Sequence, residues 1–128
     1  RGSVFGENTM AEAGYRQLDV WQLSMDMTEA IYKLTSNFPD SEKFGLISQM
    51  RRAAVSIPSN IAEGHSREHR GDYLRHLAFA RGSLAELETQ LQLSVRLGLV
   101  GREPAKPVWE LFQRIGSMLT RLMQSLRD

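Results

Sequence analysis

Residues 77–95, LAFARGSLAELETQLQLSV, carry the pattern that decides the fold of this chain. Their apolar side chains recur at spacings of three and four, which places them on one face of an α-helix. The residues of this stripe are Leu77, Ala80, Leu84, Leu87, Leu91 and Val95. We expect the helix to run from about His69 to Leu97 and to end at Gly98, because glycine is a common helix stop.

Three other segments repeat this pattern, and no segment alternates with the period of two that strands require. The first spans about residues 19–37, the second about 42–64, and the fourth begins near Val108 after a turn-rich stretch. The stripe of the first segment consists of Val20, Leu23, Met27, Ile31 and Leu34. That of the second consists of Leu46, Met50, Ala53, Ile57 and Ile61. That of the fourth consists of Val108, Leu111, Ile115, Met118, Leu122 and Leu126. Pro58 predicts a kink in the second helix, since proline removes a backbone donor. Short connections between long helices predict an all-α, antiparallel up-down four-helix bundle.

The composition suits one ordinary domain, because 41% of the 128 residues are hydrophobic and can form a core. Residues 1–9, RGSVFGENT, lack a periodic pattern and are interpreted as an expression remnant before Met10, which leaves 10–128 as a single bundle domain. The apolar runs are too short to span a membrane, and we expect a cytoplasmic protein. The absence of cysteine excludes disulfides, thiol nucleophiles and cysteine-based metal sites.

The sequence lacks the motifs of common catalytic sites. Di-iron carboxylate bundles need Glu-x-x-His pairs, and no histidine here lies three residues after a glutamate. HExxH, P-loop and GxSxG motifs are absent as well. His65, His69 and His76 would form a possible metal patch only on one unbroken helix, and the turn after Gly64 should remove His65 from that face. We therefore expect no metal, no cofactor and no enzymatic activity.

Polar residues lie close to the apolar stripes of the second and third segments. On a helical wheel, Asn60 falls about 20° from the centre of the second stripe, and Glu88 falls about 40° from the centre of the third. A buried charge is costly unless it is paired, so we expect these side chains to bond across the two helices. The predicted network comprises Arg52, Asn60, Glu63, Arg81 and Glu88. It is interpreted chiefly as a device that fixes the register of the bundle, with a ligand site as the alternative.

Basic residues are concentrated between Lys43 and Arg81, where seven lysines and arginines stand against three acidic residues. The whole chain, in contrast, carries a net charge of only +1. Arginines that point away from the stripes, or lie where the second and third helices meet, could contact phosphates without reading base sequence. The candidates are Arg51, Arg67, Arg70 and Arg75. A solvated surface without a partner is the alternative interpretation.

Residues 49–64, QMRRAAVSIPSNIAEG, followed by Arg67, carry a more specific signal. They closely resemble the signature of the bacterial four-helix-bundle proteins encoded in intervening sequences of 23S ribosomal RNA genes. Further similar parts are residues 15–21, Tyr32, Phe38-Pro39, Glu42-x-x-Gly45-Leu46 and residues 80–91. The resemblance spans about Tyr15 to Leu99.

The resemblance implies a four-helix bundle that assembles into a ring-like homopentamer. It also implies a relationship to the accessory protein of diversity-generating retroelements, which works with a reverse transcriptase and nucleic acid. We therefore expect a non-enzymatic accessory or scaffold protein that associates with structured RNA, with a pure protein-interaction scaffold as the alternative. The fourth segment adds a wide apolar band, from Met118 to Met123 with Trp109 at its margin, which predicts either a partner surface or a thick core-facing stripe.

Overall fold

Four α-helices make up most of the chain in the computed structural model, which describes residues 4–5 and 14–128. The helices are α1 (Asp19–Thr35), α2 (Leu46–His65), α3 (Arg70–Arg96) and α4 (Arg102–Arg127), and short 3-10 helices at Gly14–Gln17 and Asp40–Glu42 precede α1 and α2. Each helix packs against the next, α4 packs back against α1, and the described ranges hold no strand. The predicted all-α up-down four-helix bundle is confirmed. The interpretation of residues 1–9 falls, apart from residues 4 and 5, outside what the structure describes.

The centre of the bundle is filled by large side chains from all four helices. Those with almost no exposed surface are Met27, Ile31, Met50, Ile57, Ile61, Leu77, Leu87, Leu91, Phe112, Ile115, Leu119 and Met123. All the members of this set from α1, α2 and α3 belong to the stripes that the spacing predicts. Complete burial of one such side chain contributes about 1.5–3 kcal/mol, so this core supplies the main stabilisation of the fold.

α4 begins earlier than its sequence pattern predicts and turns a neighbouring face inward. Pro104 lies in its first turn, where a missing backbone N–H leaves no helical bond unmade. The buried residues of α4 are Ala105, Val108, Phe112, Ile115, Leu119 and Met123. Leu111 and Met118, which the periodicity predicts to be central, are only partly buried. No α4 residue is among the large exposed hydrophobic residues of the described chain, so its wide apolar band faces the bundle.

Pro58 is buried within α2, and the helix continues on both sides of it. Proline has no backbone N–H, so the carbonyl of Ala54, four residues earlier, loses its helical donor. The hydroxyl of Thr28 on α1 lies 3.1 Å from that carbonyl oxygen and 2.8 Å from the carbonyl oxygen of Ser24. The single hydroxyl hydrogen of Thr28 is thus shared between a carbonyl of its own helix and the acceptor that Pro58 frees.

The close approach of α2 and α3 depends on Gly64, which the sequence pattern predicts to be a helix stop. That prediction holds to within one residue, because α2 ends at His65, and Gly64 is buried in its last turn. A Cβ atom built on Gly64 would lie 2.7 Å from the Cβ of His76 and 3.1 Å from the Cδ1 of Tyr73. Only a residue without a side chain leaves room for α3 here, and α2 and α3 share the most extensive contact of any helix pair.

The turn between α3 and α4 is short and closely bonded. Gly98 has a φ of 77°, in the left-handed region that favours glycine. The Leu99 N–H donates to the carbonyl of Ser94 at 2.9 Å, and the Gly98 N–H donates to the carbonyl of Val95 at 3.0 Å. This pair of bonds is a Schellman motif, which ends α3 and holds the start of α4 beside it.

Candidate functional site

Arg51, a predicted phosphate contact, is bonded within its own chain. Its Nε donates to the Thr35 hydroxyl at 2.9 Å, and its Nη2 donates to the Tyr32 carbonyl at 3.2 Å. The guanidinium also lies over the Tyr32 ring, 4.5 Å from the centroid. The prediction of an outward-pointing Arg51 therefore needs correction, because this side chain joins α2 to the carboxyl end of α1.

The other predicted contacts lie where α2 turns into α3. Arg67 pairs with Glu63 at 2.8 Å, and Arg75 pairs with Asp72 at 3.2 Å. Arg70 is exposed at the first position of α3. Exposed pairs of this kind contribute only about 0–1 kcal/mol, yet they neutralise the charge that the sequence pattern assigns to this corner.

The predicted five-residue network is not formed as expected. Arg52, Glu63 and Arg81 are exposed, and Glu88 accepts a bond from Gln113 of α4 at 3.0 Å. The physical reason is desolvation, since long charged side chains at the edge of a stripe can reach water instead of entering the core. Of the five residues, Asn60 alone makes a hydrogen bond between α2 and α3 among the described residues.

The polar contact between α2 and α3 instead consists of neutral groups. The hydroxyls of Ser56 and Ser83 lie 2.8 Å apart, and Asn60 Nδ2 donates to the Ser56 carbonyl at 2.9 Å and to its hydroxyl at 3.1 Å. Asn60 Oδ1 then faces His76 Nδ1 at 3.0 Å. Because an amide oxygen only accepts, this Nδ1 carries the hydrogen.

The predicted network lacks three residues of this contact, Ser56, Ser83 and His76, and of these His76 is the titratable one. Its side chain is buried, and Nε2 lies 3.9 Å from the Glu63 carboxylate. It falls about 80° from the centre of the α3 stripe, a marginal position that periodicity alone does not place inside. His65 packs elsewhere, edge-on against the Tyr73 ring at 5.6 Å, so these two histidines have different surroundings.

Five basic residues that have no ion-pair partner among the described residues lie along the seam between α3 and α4. A polar cleft of about 600 Å³ opens there, and its charged and amide-bearing lining residues are Arg81, Glu88, Gln113 and Arg121. Towards the Gly98 turn lies a second opening of about 460 Å³, which we call the Trp109 groove. Its lining residues are Leu91, Gln92, Val95, Arg96, Arg102, Ala105, Lys106 and Trp109.

The described residues that line the two openings thus include five cations and one carboxylate, and that carboxylate accepts a bond from Gln113. The interval from Arg81 to Arg96 corresponds to roughly 22 Å of helix at 1.5 Å per residue. The sequence pattern did not predict most of these cations, because the charges along each single helix are scattered. The residues that it missed are Arg96, Arg102, Lys106 and Arg121. The signal is their helical spacing along two edges that only the folded bundle brings together.

Exposed apolar side chains form a separate feature, on α1 and α2. A cleft of about 380 Å³ lies between these helices, lined by Tyr15, Trp21, Met25, Thr28, Val55, Pro58, Ser59 and Ala62. Met25 and Val55 are exposed beside it, and Tyr32 is exposed further along α1. α3 adds Phe79 and Leu93 on its outer surface, and Leu97 is exposed directly after its last residue. Such surface supports contacts with another protein chain.

Comparison with known proteins gives this bundle a family. The family model described as 23S rRNA-intervening sequence protein matches residues 16–121. The chain belongs to that family. A solved structure from Bacteroides thetaiotaomicron VPI-5482, described as a protein of unknown function from the S23 ribosomal protein family, is similar to this 23S rRNA-intervening sequence protein, with a TM-score of 0.74 and 25% sequence identity. The similarity covers 81% of this chain and 97% of that one.

None of the curated proteins matches this family member. In the part of the chain that the structure describes, its helices are all too short or too polar to cross a membrane.

Proposed function

We propose that this 23S rRNA-intervening sequence protein acts in the cytoplasm as a non-enzymatic, oligomeric scaffold that associates with structured RNA. The observation that supports the proposal is the concentration of five cations along the α3–α4 seam, none of them in an ion pair among the described residues. Lysine and arginine side chains bind phosphates by releasing condensed counterions, so such a surface attracts RNA despite a net charge of only +1.

The corner between α2 and α3 has a secondary role in this proposal. Arg70 is exposed there, whereas Arg67 and Arg75 would have to exchange a carboxylate of their own chain for a phosphate. Arg51 is held by Thr35 and Tyr32 and is not part of the proposed interface.

The test is the affinity for an RNA stem-loop over a range of salt concentrations. Five phosphate contacts predict that log K falls with log salt at a slope of about −4. The double variant Arg102→Gln and Lys106→Gln should lower the affinity about tenfold or more and make the slope shallower by about 1.5. The matched control is Lys33→Gln with Arg52→Gln, which removes the same charge from exposed positions on α1 and α2. A slope near zero, or equal losses in both double variants, would contradict the proposal.

We further propose that the scaffold is a homo-oligomer, with the pentamer as the expected state. Exposed apolar side chains on three helices support self-association, with Met25, Val55 and Phe79 as examples. The measurement is the absolute mass in solution, compared with 14.5 kDa for one chain. A mass of one chain at all concentrations would overturn this part of the proposal.

A protein-interaction scaffold without a nucleic-acid role is the second candidate. The apolar cleft beside Met25 and Val55 favours it, because that cleft offers little charge to a polyanion. Purification of the tagged protein after nuclease treatment distinguishes the two functions. Retention of one stoichiometric protein partner together with loss of RNA affinity would favour the second candidate.

A further inference from the structure

The Trp109 groove differs from the polar cleft of the same seam. Leu91, Val95 and Ala105 give it an apolar lining, and the partly buried Trp109 is the aromatic residue that borders it. In the polar cleft the aromatic residue is Phe112, whose side chain has no exposed surface. In the part of the chain that the structure describes, the Trp109 groove is therefore the opening of the seam that offers an aromatic ring at the surface.

Three cations surround this apolar lining. Arg96 comes from the last turn of α3, and Arg102 and Lys106 come from the first turns of α4. Among the described residues no carboxylate lines the groove, whereas Glu88 lines the polar cleft. Cations beside an apolar pocket match a ligand that has a flat apolar part and an anionic part.

The indole of Trp109 contacts a ring of the core. It packs edge-to-face against the Phe112 ring, with centroids 6.3 Å apart and an interplanar angle of 66°. Phe112 is itself held in the core, so Trp109 is oriented before any ligand arrives. A pre-oriented aromatic side chain costs little conformational entropy when a second ring packs against it.

We propose that the Trp109 groove binds an unpaired nucleotide of RNA. The base packs against Trp109 and Val95, and Arg96, Arg102 and Lys106 contact the phosphates on either side. A volume of about 460 Å³ lies within the range of pockets that hold small ligands. The inference rests on the proposed RNA association and adds its ligand class, since bases are open to stacking in loops, bulges and single strands but not inside a duplex.

The test uses Trp109 fluorescence in a Trp21→Phe background, which leaves Trp109 as the single tryptophan. Four probes are compared: an oligouridine of about eight nucleotides, an abasic ribose-phosphate chain of equal length, a short RNA duplex, and an oligoglutamate. We expect the oligouridine to quench the emission and to bind about tenfold more tightly than the abasic chain. Trp109→Leu should reduce this preference to below about twofold while leaving the salt slope unchanged.

The outcomes separate this inference from the proposed function. Equal binding of oligouridine and abasic chain without quenching overturns the nucleotide site but leaves phosphate binding along the seam intact. No binding of any probe overturns both. If oligoglutamate quenches the Trp109 emission and binds as tightly as oligouridine, the ligand of the groove is an acidic protein segment and not a nucleotide. The quenching measurement retains Trp109, so it decides the matter even where Trp109→Leu loses stability.

Discussion

The Thr28 hydroxyl on α1 lies 3.1 Å from the carbonyl oxygen of Ala54 on α2, the acceptor that Pro58 leaves without a helical partner. This relationship links a proline inside one helix to a threonine on the next. Thr28→Val should therefore lower the free energy of unfolding by about 1–2 kcal/mol, because a buried carbonyl loses its donor. Urea denaturation measures the change.

Thr89→Val is the control for that substitution, since the Thr89 hydroxyl bonds only within its own exposed turn, to the carbonyl of Ala85. A cost for Thr89→Val equal to that for Thr28→Val would show that the interhelical bond has no special role. In a Pro58→Ala background, which restores the backbone donor, the effect of Thr28→Val should shrink.

Gly64 sets the spacing of α2 and α3, so Gly64→Ala should destabilise the bundle by about 1–3 kcal/mol through the 2.7 Å approach of the new Cβ to His76. Gly82→Ala is the matched change, because nothing lies within 4 Å of a Cβ there. It should stabilise the protein by about 0.4–1 kcal/mol through improved helix propensity. Thermal unfolding of both variants checks that the two changes in stability have opposite signs. A Gly64→Ala variant more stable than the wild type would contradict the close packing of α2 and α3.

Asn60 is the central residue of the polar contact between α2 and α3. Asn60→Ala removes the acceptor 3.0 Å from His76 Nδ1 and should cost about 1–3 kcal/mol, because the buried imidazole N–H is then unpaired. A double-mutant cycle with His76→Phe should give a coupling energy of at least about 0.5 kcal/mol. Additive effects of the two changes would indicate that the bond contributes nothing.

Arg51 should matter for stability and not for RNA binding. Arg51→Gln loses the bonds to Thr35 and Tyr32 and should lower the free energy of unfolding by about 1–2 kcal/mol. Its RNA affinity, measured well below the unfolding temperature, should stay within about twofold of the wild type. Arg52→Gln, at the exposed neighbouring position, should change stability by less than about 0.5 kcal/mol. A tenfold loss of RNA affinity in Arg51→Gln would contradict this prediction and show that Arg51 contributes to RNA binding.

Burial raises the pKa of the Tyr73 phenol above its ordinary value of 10.0, and its hydroxyl has no hydrogen-bond partner among the described residues. A raised pKa in the folded state means that the unfolded chain ionises first, so stability is complete below about pH 10 and falls as the pH rises through the folded pKa. Tyr73→Phe should remove this part of the loss of stability at alkaline pH. Unfolding measured at about pH 9 and about pH 11 checks the prediction, and identical alkaline losses in both proteins would exclude Tyr73 as the cause.

The architecture could be predicted because apolar spacing reports directly which residues of a helix are buried. Leu77, Leu87 and Leu91 all lie in the core that their spacing predicts. In α4 the same rule places Val108 and Ile115 correctly but prefers Leu111 to the buried Phe112, since both continue a regular pattern. The choice between them depends on packing against other helices, which local periodicity does not contain.

The surface could be predicted less well, because charge depends on neighbours in space. Arg67 and Arg75 each have a carboxylate one turn away, and this intrahelical spacing could have been read from the sequence. The juxtaposition of Arg96 with Lys106 requires the antiparallel arrangement of α3 and α4. A buried His76 bonded to Asn60 likewise depends on the spacing that Gly64 allows.

The Gly98 turn fixes more than the end of one helix. Five residues, Leu97–Gly101, determine how far α4 is rotated and shifted relative to α3. One extra residue inserted there would advance α4 by about 100° of helical phase unless the turn absorbed it. Relatives with a turn of different length would then keep a bundle yet present Arg102 and Lys106 to another neighbour, so the length of this loop is a simple marker of which homologues retain the same basic seam.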